Sequence, residues 1–468
     1  MFLRLALSLG LAAAAWFALR GADGGAANAA VERTYLDWLI GNSSQKLDEP
    51  DVAFVRMDAE TDAGIFEAWP YSPKDYAVLF GALRNGFNAR TIAAAEPLSW
   101  LDAAPDDLAI LHDQAIPVPR LILGMALEND ASGGTFLDPG LLGLFPRIKT
   151  VEGDIEAIPS FTDVLEAPDE TLRIAGEIGF TYIDLGDGAE EDAGGISLPL
   201  LARYGDAVIP SFALQAVLAE EGLAPSDASV VLGEEIRAGE RVRIPIDGAG
   251  RLRIYLGLRE KVPHASAPDA VLGAEPDAKA LLEPRQRESL AALSGRLLVV
   301  GNDDEHSRRI ELPGGGHISR AELQALAIAT MQSSQYIRRL PAAPQYGVWA
   351  AAAALGLFIV RAKRRGSAFF LSFLGVVLVF ACGLVAFQSA LTWYSPALPP
   401  PHHRRPASSS ASHPPNRETP GGGGRARVAV IAAKGSSRNA TRGAPKRARQ
   451  TVKNPMKAPH CRSITMRR

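Results

Sequence analysis

Two uncharged apolar stretches, Tyr346 to Val360 and Ala368 to Gln388, flank the basic run Arg361-Ala362-Lys363-Arg364-Arg365, and another, Leu5 to Leu19, opens the chain between Arg4 and Arg20. Such stretches need apolar surroundings, either protein or lipid, and their lengths suggest lipid. At a rise of about 1.5 Å per residue, roughly twenty residues cross a hydrocarbon layer of about 30 Å. Ala368 to Gln388 reaches that length, and Tyr346 to Val360 does so when residues from Pro341 are added. Transmembrane helices are therefore expected at 341–360 and 368–388, with 361–367 as a basic cytoplasmic loop. A further one is expected at 2–20. Ala27-Asn28-Ala29 offers a small-residue cleavage site, so a removed secretory signal is the alternative there. On either reading the body that follows is exported, which sets the expected location at the inner membrane with the body outside the cytoplasm.

Charge divides the chain. From His402 to Arg468 there are 16 Lys and Arg against the single acid Glu418, so 49 − 16 = 33 bases face 52 − 1 = 51 acids in the remainder. An acidic body argues against nucleic acid as its partner. The basic tail, 402–468, is a mixture of Pro, Ser, Gly and Arg without periodicity, which reads as disordered or as a sequence translated out of frame. The cysteines are Cys382 and Cys461, so the body holds no disulfide and depends on an ordinary core.

Within the body, β-type runs at Val52 to Met57, Leu121 to Ala126, Phe180 to Leu185, Leu252 to Leu256 and Leu297 to Val300 alternate with helical patterns. One helix opens at Ser72, with Pro73 at its first position and Asp75 in a capping box, places Tyr76, Leu79, Phe80 and Leu83 on one face, and is expected to stop at Gly86. Another opens at Ser319 with a capping box to Glu322. The expected fold is an α/β domain over 31–335, a central sheet flanked by helices, carried by transmembrane helices and followed by the disordered tail.

Tyr35 to Leu39 (YLDWL), DVAFVRMDAET from Asp51, WPYSPKDYAVLFGALRNGFNARTI from Trp69, GFTYIDLG from Gly179, the run from Ser197, IPIDGAGRLRIYLG from Ile244, LLVVG at Leu297 and HISRAELQALAIAT from His317 together resemble the second class of CHASE domain, an extracellular sensory domain associated with cyclases and histidine kinases. The resemblance implies a receptor: an anchored sensor that relays through membrane helices to a cytoplasmic effector. This chain departs from it in offering two apolar spans after the body instead of three and no effector, so a separate kinase or cyclase partner is implied. Where the family carries an Asp at a strand end, the chain reads AAAEPLSW, leaving Glu96 as the nearby carboxylate.

Chemistry is sparse. No G-x-S-x-G, HExxH or H-x-x-H frame occurs in the body, and Gly421 to Gly424 lack the Lys-Ser/Thr of a phosphate loop. Asp303-Asp304-Glu305-His306 and the acids from Asp184 to Asp192 lack calcium-loop spacing and read as solvated turns. No catalytic residue, metal or cofactor is expected. A sensor needs only a pocket, and Asp58, Glu60, Trp69, Glu96 and Trp100 fall at or just after the ends of the first strands, where α/β sheets bind ligands. The expectation is thus a sensor for a small-molecule or protein ligand, seated in a lipid bilayer, with a homodimer open. A structural or adaptor protein of the envelope is the alternative.

Overall fold

In the computed structural model, residues 24–42, 49–58, 64–66, 70–129, 143, 145–184, 196–280, 282–303, 309–312, 316–340, 344–347 and 381–394 are described. The elements that position the site are, in chain order, α1 (Gly24–Gly41), β1 (Val52–Met57), α2 (Pro73–Phe87), β2 (Thr91–Ala94), α3 (Pro105–Ala115), β3 (Arg120–Glu128), β4 (Asp163–Glu166), β5 (Glu177–Asp184), α4 (Phe212–Glu220), β6 (His264–Ser266), α5 (Ala267–Ala274), β7 (Leu297–Asn302) and α6 (Arg320–Gln332). The central sheet runs β6-β1-β7-β2-β3-β5 with every pairing parallel, and β4 adds antiparallel to β3 beyond the end of β2.

A parallel sheet covered on both faces needs strands that are apolar at every position, and alternation then sorts them between two cores. Val52, Phe54, Ala93, Ile122, Leu297 and Val299 face α4 and α6. Ala53, Val55, Met57, Ile92, Leu121, Leu123, Leu298 and Val300 face α2, α3 and α5. Each fully buried Val, Leu, Ile or Phe of this kind contributes roughly 1.5–3 kcal/mol. A smaller sheet of Thr150–Glu152, Ala228–Val231, Glu235–Ala238 and Val242–Pro245 extends the first core.

Helix starts follow the sequence. Ser72 caps α2 by accepting from the Asp75 amide, and the Asp75 carboxylate accepts in return from the Ser72 amide at 2.8 Å. Its end does not: α2 continues through Gly86 to Phe87 and is closed by Asn88 in the left-handed region at φ 52°. Gly86 serves packing instead, since a Cβ there would stand 2.5 Å from Cβ of Ala274 on α5. The run expected as a strand from Leu252 keeps only Arg251–Arg253 as strand, paired outside the main sheet with Ser197–Pro199, and turns into a 3-10 helix over Leu256–Lys261.

The expectation of transmembrane helices is overturned: among the described residues no helix is long and apolar enough to cross a membrane. Residues 2–20 and most of 341–360 and 368–388 lie outside the described residues, as does the tail 402–468. Of the parts that are described, some side chains meet protein while Tyr346 and Val385 stay exposed. Helical residues 381–390 bring Phe387 (0 % exposed) against Tyr255, with ring centroids 6.3 Å apart. Leu391 and Trp393 are equally buried, and Thr392–Trp393 pairs in parallel with Arg338–Arg339. An apolar run reports a need for apolar surroundings without saying whether lipid or protein supplies them, and for Phe387 and Leu391 the protein does.

Candidate functional site

The site grows from the carboxyl end of β2. Beyond Ala94 the Ala95 amide still bonds to Val300 O at 2.8 Å, and the chain then turns outward across the strand ends. Gly124 allows that turn, because a Cβ on it would lie 2.3 Å from Ala95 O. The loop is fastened by Asp169 N to Leu98 O at 2.8 Å and by the Trp100 indole, which donates to Tyr71 O at 2.8 Å and meets the Tyr76 ring edge-on at 5.9 Å.

The opposite wall is the first turn of α6. Ser319 caps it, its hydroxyl accepting from the Glu322 amide at 3.2 Å. The Glu322 side chain does not complete a capping box; it accepts from Arg259 Nε and Nη2, at 2.7 and 3.1 Å. Gly301 at the end of β7 lets this turn approach the sheet, since a Cβ there would fall 2.2 Å from that of Ala321.

Between loop and helix lies a cavity of about 440 Å³ lined by Tyr71, Tyr76, Glu96, Trp100, Glu166, Thr181, Tyr182, Asn302, Arg320 and Gln324, among others. Pockets of roughly 300–1,000 Å³ house small-molecule ligands. The Arg320 guanidinium sits over the Tyr182 ring, 3.5 Å from its centroid. Burial pushes the Tyr182 phenol above its ordinary value; the Arg320 charge and hydrogen bond oppose the rise and the Glu166 and Glu96 charges add to it, so both signs act on one ring. Gln324 is 1 % exposed, donates through Nε2 to Thr181 O at 2.7 Å, and leaves Oε1 buried without a hydrogen-bond partner. An unpaired buried acceptor costs about 1–3 kcal/mol.

Of the residues expected to form a site, Glu96 and Trp100 line this cavity. Trp100 spends its N–H on the fold, so it contributes a wall. Asp58, at the end of β1, lies 3.8 Å from Arg56 and is not among the lining residues. Glu60 and Trp69 lie outside the described residues. Sequence reasoning missed Arg320, Gln324 and Tyr182. Gln324 carried a signal, as a polar amide within LQALAIAT, a helix whose residues Ala321 to Met331 are buried on all sides.

The acidic turn after β7 is partly described. Asp303 is half-buried with its carboxyl raised, by burial first and then by Glu322, while a Ser319 hydrogen bond, Arg56 and Arg309 oppose the shift. Asp304, Glu305 and His306 lie outside the described residues. Among the described residues no group of three or more His, Cys, Asp or Glu is placed to hold a metal ion.

A second cavity, about 540 Å³, opens at the amino ends of β1 and β2, where Asp51, Arg90, Glu220, Glu221 and Arg241 contribute to its lining. Its acids are paired at surface-pair distances: Arg90 with Asp51 at 3.9 Å, Arg241 with Glu221 at 3.7 Å, and Glu220 with Arg120 at 3.9 Å. Comparison with family models, curated proteins and solved structures gives no match, so nothing identifies a CHASE domain in this chain.

Proposed function

We propose that the protein is a sensor module that binds a small ligand in the cavity at the carboxyl ends of β2 and β7 and passes its occupancy along α6. The observation that carries this reading is the placement of that one helix. Its first turn supplies Arg320, Ala321 and Gln324 to the cavity. Its last turn leads, through Ser334 at φ 53° and a Tyr336 hydroxyl that donates to Met331 O at 3.2 Å, into the Arg338–Arg339 strand.

That strand is tied to the returning segment: Arg338 N bonds to Leu391 O at 2.9 Å and Leu340 N to Trp393 O at 2.8 Å. Arg253 and Arg339 each sit 5.5 Å from the Trp393 ring centroid, and Arg339 reaches Glu32 of α1 at 3.0 Å. In the last turn of α6 the Thr330 hydroxyl accepts from the Tyr255 amide at 3.4 Å, and the Tyr255 ring meets Phe387. A shift of α6 on ligand binding would thus alter the junction of α1, Arg338–Arg339 and residues 381–394. A ligand moves such an equilibrium only by binding its two states unequally, and contacts to the first turn of α6 offer that difference. The ordered resemblance to a sensory domain supports the same reading, and an effector would be a separate partner.

The test needs no ligand. Gly301→Ala pushes against Ala321, and hydrogen exchange at the Arg338 and Leu340 amides then reads the far end. Both are expected to exchange faster while Leu298 in β7 keeps its protection. Unchanged rates at both amides would sink the proposal and favour an adaptor, which needs no link between cavity and junction.

A further inference from the structure

We infer that the end of the body where α1, Arg338–Arg339 and residues 381–394 meet is a docking face for an anionic lipid surface. This goes beyond the sensing role and does not depend on it.

Separate segments of the chain come together at this end. Glu32 of α1 holds Arg339, Leu340 N bonds to Trp393 O, and the Tyr35 and Tyr394 rings lie 5.8 Å apart. Gly383 makes room for the Tyr35 hydroxyl, which a Cβ there would strike, and further along Gln388 Nε2 donates to Asn42 O at 3.3 Å. Because Tyr35 meets Gly383 and Asn42 meets Gln388, α1 and the helical residues 381–390 run parallel and enter the body from the same side. Leu340 leaves beside them. What the chain joins to this end is apolar: Leu5 to Leu19 precedes α1, and Tyr346 to Val360 and Ala368 to Phe380 lie between Leu340 and Ala381, all without a charge.

The described surface here matches a lipid partner. Cys382 and Val385, one helical turn apart, are exposed, Val385 at 63 %, and on the neighbouring helix Trp38 is 38 % exposed while its ring stacks on Tyr35. An exposed indole beside aliphatic side chains suits the boundary between headgroups and acyl chains. The charge is complementary as well. The body as a whole is acidic, yet Arg253, Arg338 and Arg339 gather around Trp393, with Arg338 and Arg339 exposed. Basic and apolar groups side by side are what an anionic bilayer selects, whereas a second copy of the chain would bring arginine against arginine across a two-fold face. No spanning helix is needed for this contact, only that these side chains reach the headgroup layer.

The experiment uses the full chain with Cys461→Ser, which leaves Cys382 as the thiol that carries a fluorophore. Detergent is removed in the presence of phosphatidylcholine vesicles containing phosphatidylglycerol, with bromine on the acyl chains of one lipid or the other. Brominated lipid is expected to quench the label at Cys382. A label placed by Leu101→Cys, with both native cysteines changed to Ser, should stay unquenched, because Leu101 is fully exposed beside the cavity at the other end of α6. Bromine on phosphatidylglycerol should quench about fivefold more per lipid than bromine on phosphatidylcholine, the factor for one arginine near the surface, and Arg338→Gln should reduce that preference. An unquenched label at Cys382, or equal quenching at both positions, would overturn the lipid face, and equal quenching by the two lipids would overturn its anionic character. Shielding of the Cys382 label in detergent alone, rising with protein concentration, would assign the face to a second copy and overturn the proposal too. Gly301→Ala reads the sensing role at the Arg338 and Leu340 amides whichever lipid result is found, so the two can fail separately.

Discussion

The two ends of α6 are built on opposite principles. At its start the helix meets a cavity edged with Glu96, Arg320 and Gln324, and one buried amide oxygen has no partner. At its end Leu326, Ile328 and Met331 join a core with Tyr255, Phe387 and Trp393 in which these side chains are at most 4 % exposed. One end is therefore closed by apolar contact and the other borders an open, polar cavity. The two cavities teach the same lesson. The larger one, at the amino ends of the strands, pairs Asp51, Glu220 and Glu221 with arginines, so volume alone does not mark a site.

The largest effect should come from the closed end. Phe387→Ala removes a fully buried ring from against Tyr255 and is expected to cost about 3–5 kcal/mol in denaturant unfolding. A cost below ~1 kcal/mol would mean that residues 381–394 do not belong to the folded body and would erase the contrast. Next is Glu322→Gln, which breaks the paired hydrogen bonds to Arg259. Glu322 is 6 % exposed but Arg259 is partly solvated, so the expected cost is about 1–3 kcal/mol, measured the same way.

At the open end the same helix should tolerate change. Gln324→Leu gives up the bond to Thr181 O but also removes the unpaired Oε1, so unfolding without ligand should move by no more than about 1 kcal/mol. A loss above ~2 kcal/mol would show that the bond to Thr181 O outweighs the unpaired oxygen and that this end of the helix is held as firmly as the other.

How much of this could be read from the chain varied with the physics involved. Caps are local, so Ser72 and Ser319 declared their helices, and Val52 to Met57 and Leu297 to Val300 declared the strands by sheer apolarity. Thr91–Ala94 stayed hidden because TIAA is short and small, although it lies at the centre of the sheet with β3 and β7 on either side. Glu96 was visible as the carboxylate at a strand end. Arg320 and Gln324 were not, since they reach the same cavity from a helix more than two hundred residues away, and only the crossing of β7 beside β2 brings them there. The spans near the end misled for the opposite reason: hydropathy measures a side chain's need and is silent on what meets it.

The smallest expected effect lies beside the cavity, where two titrating groups flank the cap of α6 with opposite signs. His264 keeps much of its surface in solvent, yet the protein packed around its imidazole lowers it below its ordinary value; Glu322 and a backbone bond with Arg259 oppose this, while the Arg259 and Arg56 charges reinforce it. The unfolded chain therefore takes up this proton at higher pH than the folded one. The stability that His264 contributes is complete above about pH 6.5 and is lost as pH falls from there toward its depressed folded value, and solvent screening at this exposed ring keeps the loss small. Asp303 is raised, so it acts the other way: the folded state keeps this proton where the unfolded state has released it, and ionised Asp303 weakens the fold above its folded value. His264→Gln should flatten the fall in unfolding free energy below pH 6.5, and Asp303→Asn should stabilise the protein at neutral pH with the gain fading in acid. If neither variant changes the slope, the charges around Glu322 are compensated by solvent, and the open end of α6 is set by its cavity alone.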